Sequence, residues 1–148
     1  MKLKLLILLP LFLSLQNVWH SNLEEAKNIA QKEHKYILLN FSGSDWCGPC
    51  IRMRQEFFES AVFKEMADSD LILVNADFPR NKKNQPSATQ QKMNDEMADK
   101  YNSQGKFPFT LLLDSVGNVL QTWEGFPEES VESFTLDIRN SIYTVRQK

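Results

Sequence analysis

Cysteine occurs at only two of the 148 positions, Cys47 and Cys50. A bridge between neighbours this close closes a very small loop and constrains the unfolded chain little. A domain held together by disulfides would carry several spaced pairs instead. The pair therefore points to chemistry rather than to stability, and its flanks say where that chemistry sits. Tyr36-Ile37-Leu38-Leu39-Asn40-Phe41 is a short continuous apolar run, the mark of a strand buried on both faces. Ser42-Gly43-Ser44-Asp45 reads as a loop, and Trp46-Cys47-Gly48-Pro49-Cys50 opens a helix that continues through Met53, Phe57 and Phe58. A fold for this chain must place the dithiol where a buried strand hands over to a helix.

The remaining pattern supplies the other elements. Leu23 to Lys35 predicts a helix, with Leu23, Ala26, Ile29 and Ala30 on one face and charges opposite. After a break near Ser60 a helix resumes to Met66, and Leu71 to Asp77 is a second buried strand. Phe78 to Gln91 is polar, a loop or partly helical insert, and Met93 to Tyr101 a short helix. Phe107 to Asp114 predicts a third strand and Val119 to Trp123 a fourth, joined at Gly117-Asn118 as a hairpin. Glu128 to Arg146 closes as an amphipathic helix with Val131, Phe134, Ile138, Ile142 and Val145 inward. Helices alternating with strands before an antiparallel hairpin imply an α/β domain. Its centre would be a mixed sheet of about four strands with helices on both faces.

The first residues follow another rule. Lys2 and Lys4 precede an almost purely apolar stretch from Leu5 to Leu15, the pattern of a secretory signal peptide. That run is shorter than the roughly 20 apolar residues a span needs. A retained amino-terminal anchor is the alternative. Residues 1–20 are therefore read as a leader, cleaved between Leu15 and Ser21, and 21–148 as one domain, periplasmic or secreted. No cysteine lies near the cleavage region, which argues against a lipid-modified lipoprotein. A formal charge of -2 and the absence of a dense basic run argue against nucleic acid as a partner.

Disulfide exchange requires a thiolate, and a free cysteine with a pKa of about 8.5 is mostly protonated at neutral pH. A helix amino terminus favours the thiolate through its unpaired N–H groups and dipole. Cys47 stands at such a point, with Pro49 a suitable first-turn residue, and Cys50 follows within disulfide reach. The expected roles are an exposed nucleophile, Cys47, and a more buried resolving thiol, Cys50, which releases the reduced substrate.

Asp45-Trp46-Cys47-Gly48-Pro49-Cys50 after an apolar strand resembles the active site of the thioredoxin family, and the resemblance extends over about Leu23 to Arg146. It implies a thioredoxin-like fold and a thiol–disulfide oxidoreductase that needs no cofactor beyond the Cys47–Cys50 disulfide. Phe107-Pro108 matches the family's cis-proline loop. By that resemblance the Phe107 backbone pairs with extended substrate, and Pro108 shields the sulfurs from metal ions and stray thiols. Gly125 matches a glycine that leaves room for substrate. Val74 to Arg80 with the polar insert is similar to bacterial envelope relatives. Two positions depart from the pattern. Asn40 stands nearest the place of the family's buried aspartate, so deprotonation of Cys50 falls to water, to Asp45 or to another group. Phe107 is bulkier than the usual Thr or Val. The uncharged Gly48-Pro49 resembles the reductases, with potentials nearer about -270 mV than about -120 mV. A reductase in an oxidising compartment implies a membrane electron-donor protein, with disulfide-bearing exported proteins as substrates and the domain itself a monomer.

Other readings of the same residues are weaker. A structural zinc site needs four ligands, and only His20 and His34 could join the cysteines. Haem attachment would need histidine directly after Cys50, where Ile51 stands. The rivals in function are an oxidase or isomerase on the same dithiol, or a binding module that escorts clients.

Overall fold

The computed structural model describes residues 17–147. Of the leader read at residues 1–20, positions 1–16, with the apolar stretch Leu5–Leu15, lie outside them. The elements run β1 (Trp19–His20), α1 (Leu23–Glu33), β2 (Tyr36–Ser42), α2 (Gly48–Met53), a π-helical turn (Arg54–Phe58), α3 (Ala61–Asp70), β3 (Leu71–Asp77), a 3-10 turn (Lys82–Asn84), α4 (Ala88–Tyr101), β4 (Phe109–Leu113), β5 (Val119–Glu124) and α5 (Val131–Arg146). The sheet is ordered β1-β3-β2-β4-β5. β1 and β2 pair parallel with β3, and the β2–β4 and β4–β5 pairs are antiparallel.

The expected α/β architecture with a mixed, two-sided sheet is present, but with five strands rather than about four. The added strand is β1, only two residues long, where Trp19 and His20 pair with Leu73 and Val74. Periodicity cannot reveal so short an element, least of all beside an apolar leader. α4 begins five residues before the predicted Met93 because Ser87 caps it, accepting from the Gln90 N–H. β4 starts at Phe109, two residues after the predicted Phe107 and directly after the cis Phe107–Pro108 peptide.

Strand alternation divides the core into two layers. Ile37, Leu39 and Phe41 of β2 join Ile72, Val74 and Ala76 of β3 under α1 and α4. The intervening Leu38, with Leu71 and Leu73, faces α2, α3 and α5 through Met53, Phe63, Met66, Phe134 and Ile138. By the same alternation Asn40, Ser42, Asn75 and Asp77 fall on the second face, toward the helix that carries the cysteines. Of the inward residues predicted on α5, Phe134, Ile138 and Ile142 are buried, whereas Val131 and Val145 are half-buried at the helix ends.

Candidate active site

Cys47 is the cap residue of α2. Its Sγ accepts the Cys50 N–H at 3.3 Å, and Pro49 occupies the first turn. Cys47 and Cys50 form a disulfide of 2.06 Å with a Cα–Cα distance of 5.2 Å. The expected contrast in exposure is absent: each cysteine is 5% exposed in this oxidised form. The asymmetry lies in their surroundings. Cys47 is followed by the exposed Gly48 and Pro49, while Cys50 lines a cavity of about 440 Å³ with Trp19, Asn40, Ser42, Arg54 and Asn75.

That cavity exposes what stands in place of a buried acid. Thr110 Oγ1 donates to Asn40 Oδ1 at 3.1 Å, and Asn40 Nδ2 donates to Asn75 Oδ1 at 2.9 Å. Ser42 Oγ reaches Asn75 Oδ1 at 3.1 Å and Asp77 Oδ1 at 3.2 Å. The chain is neutral until it meets Asp77, whose carboxylate also accepts the Ser44 N–H and hydroxyl. Asn75, Ser42 and Asp77 have no part in the sequence-based site, although a signal exists: two apolar strands each carry an asparagine at the fifth position. Replacing Asn40 by Leu is expected to cost about 1–3 kcal/mol, because Asn75 and Thr110 lose partners inside the fold. Urea unfolding of the oxidised protein measures it, and an unchanged midpoint would mean that water replaces the amide.

Asp45 does not turn toward Cys50 in this structure. It accepts the N–H groups of Arg80 and Asn81, both at 2.9 Å, and the Asn84 side-chain amide at 2.9 Å. The Arg80 N–H first, then the Asn84 amide, hold its carboxyl below the ordinary value of 3.8, against a smaller opposing effect of desolvation. An ionised carboxylate saturated with donors is poorly suited to take a proton, so it fastens the 80–84 loop instead. Because its folded pKa is depressed, that hold is complete above about pH 4 and is lost as pH falls through the lowered value. Asp45→Ala should therefore speed tryptic cleavage after Arg80, Lys82 and Lys83 several-fold at neutral pH. Unchanged cleavage would mean that the loop is held by other contacts.

An aromatic platform borders the dithiol. Trp46 Nε1–H donates to the Phe78 carbonyl at 2.7 Å. Its ring meets Phe107 edge-on at 5.5 Å, and Phe107 meets Phe78 at 5.7 Å. Gly43 is required beneath it, since any Cβ there would overlap the indole. The bulky Phe107 thus serves as a wall for Trp46 on one side of the site. Gly125 has φ +78° with open space where a Cβ would be, and its N–H donates to the Pro108 carbonyl at 2.9 Å. The structure so brings together Asp45, Trp46, Cys47, Gly48, Pro49 and Cys50 on one loop and helix start. Phe107 joins them through Trp46, and Gly125 is tied to Pro108. His34 lies apart as the exposed, left-handed cap of α1. Among the described residues no group of three or more His, Cys, Asp or Glu side chains could hold a metal ion.

A buried dithiol at a helix start, beside a cis-proline loop on a mixed five-stranded sheet, defines a class of redox-active α/β domains. Comparison with known proteins gives the family: the profile described as thioredoxin-like matches residues 18–115, and the chain belongs to that family. It is similar to the disulfide bond reductase DsbH of Chlamydia pneumoniae, with 38% identity over 104 residues, 70% of this chain and 61% of that protein. It is also similar to the thioredoxin-related protein DsbJ of the same organism, 30% identical over 76 residues, 51% of this chain and 22% of that one. The chain thus spans less than two thirds of either curated relative. A solved structure named DsbH oxidoreductase superposes with a TM-score of 0.77 at 30% identity, covering 85% of this chain and 84% of that one.

Proposed function

We propose that this domain is a thiol–disulfide oxidoreductase of the bacterial cell envelope that reduces disulfides in exported proteins. The observation that carries the reading is the Cys47–Cys50 disulfide, seated at the start of α2 with Cys47 as its cap. In the reduced protein the Cys47 thiolate attacks a client disulfide, and one client sulfur leaves as thiolate. The resulting mixed disulfide is then attacked by Cys50, which closes the Cys47–Cys50 bond and frees the second client sulfur. Asn40 offers Cys50 no base, so its proton leaves through the polar cavity, toward water or along Ser42 to Asp77. Backbone at Phe107 pairs with the client, Pro108 screens the sulfurs and Gly125 keeps the approach open.

The reductive direction rests on Gly48-Pro49, which places no cation beside the thiolate, and on the resemblance to a protein named as a disulfide bond reductase. A membrane electron donor would return the dithiol to its reduced form, and the domain would work as a monomer. The Leu5–Leu15 stretch would direct export. Processing between Leu15 and Ser21 is part of this proposal, and the packing of the Trp19 ring on Phe58 at 5.1 Å beside the cavity at Cys50 supports a cut ahead of Trp19.

Equilibration of the purified domain with glutathione or dithiothreitol buffers measures the couple directly. A potential near about -270 mV is expected. A value near about -120 mV would make the protein a disulfide donor and overturn the proposed direction.

A further inference from the structure

The insert after β3 is fastened to the active-site loop, and it brings positive charge with it. Asp45 pins the backbone of Arg80 and Asn81. The Arg80 guanidinium then lies over the Trp46 ring, 3.8 Å from its centroid, one residue from Cys47 in the chain. Arg80, Lys82 and Lys83 are all exposed. None of the ion pairs among the described residues involves them. Away from these three, the chain is acidic, with 14 Lys and Arg against 19 Asp and Glu. On the Phe126 side of the site the nearby cation is committed: Arg52 stacks on Phe126 at 4.2 Å but is bonded to Glu56 at 3.0 Å.

A stacked guanidinium keeps its N–H edge available, and that edge matches a carboxylate in two-point fashion. With its backbone held by Asp45 and its side chain laid on Trp46, Arg80 gives up little further freedom on meeting such a group. Lys82 and Lys83 in the adjoining 3-10 turn extend the same field. The geometry points to a recognition site for acidic residues flanking the client's disulfide, on the Trp46 side of the dithiol. This deepens the proposed oxidoreductase reading and rests on it.

Three peptides with the same single disulfide, flanked by Glu, Gln or Lys, provide the test. Each rate is divided by that of the same peptide with dithiothreitol, which removes the effect of the flanks on the sulfurs themselves. The corrected kcat/KM should fall in the order Glu, Gln, Lys, with about a tenfold gap between Glu and Gln at low ionic strength that closes as salt is added. In the R80Q/K82Q/K83Q variant the Glu-to-Gln ratio should fall to about one. Equal corrected rates for Glu and Gln peptides in the parent protein would overturn the inference, as would a variant that keeps the preference. Sedimentation with phosphatidylglycerol vesicles that is lost in the variant, without any peptide preference, would assign the cations to a membrane surface and overturn it too. If no peptide is reduced at all, the oxidoreductase reading fails first, and the inference falls with it.

Discussion

Cys47→Ser is expected to reduce the rate of disulfide reduction to the uncatalysed background, with a disulfide-bonded test protein as substrate and dithiothreitol as electron source. A hydroxyl cannot replace the thiolate as nucleophile at neutral pH. Cys50→Ser should turn over only as fast as external dithiothreitol resolves the mixed disulfide, because Cys47 still attacks but no internal thiol frees the client. When each variant is reduced, freed of dithiothreitol and mixed with oxidised client, non-reducing electrophoresis should show adducts of the Cys50→Ser protein that added dithiothreitol releases, and none for Cys47→Ser. Since each cysteine is 5% exposed in the oxidised form, burial alone does not assign these roles. Adducts that form through Cys50 instead would reverse them.

Phe134→Ala carries the largest expected loss of stability. Phe134 is fully buried on α5, with Phe57 edge-on at 5.5 Å and Trp123 at 5.6 Å. Its removal opens a cavity where the active-site helix, β5 and α5 meet. Truncating a buried phenylalanine costs about 3–5 kcal/mol, which is a large share of the roughly 5–15 kcal/mol that holds a domain folded. The melting temperature of the oxidised protein should fall by about 10–20 °C. A loss below about 1 kcal/mol would show that neighbouring side chains close the space. Edge-to-face packing would then contribute little at this point.

How much of this was legible depends on whether the determining contact is local. Leu71–Asp77 matches its predicted bounds because the apolar run starts and stops where the strand does. Most of the active-site loop and helix start could likewise be placed, since Pro49, the cysteine spacing and the preceding apolar run all act within a few residues. Asp45 could not be understood this way. Its partners lie 35 to 39 positions away, and two of them are backbone N–H groups whose direction depends on the folded loop. The polar chain beneath Cys50 was half legible. Asn40 stood out in its run, but its pairing needs the register in which Asn40 faces Asn75 and Ser42 faces Asp77. α4 began earlier than expected because it buries only Asn94 and Met97 and shows little amphipathic pattern.

The π turn at Arg54–Phe58 has a consequence for how the dithiol is aimed. Such a turn amounts to one residue inserted into an α-helix. It lets two consecutive residues both point inward: Phe57 meets Phe126 and Phe134, and Phe58 meets Trp19 and Phe63. The helix is thereby gripped from two sides below the insertion, while the part above it is rotated by the extra residue. The insertion works as a phase adjustment, setting the angle at which Cys47 is presented separately from the packing that anchors the helix. Removing one residue here would rewind the helix and swing the cysteines by roughly a quarter turn, without altering a single residue that touches substrate.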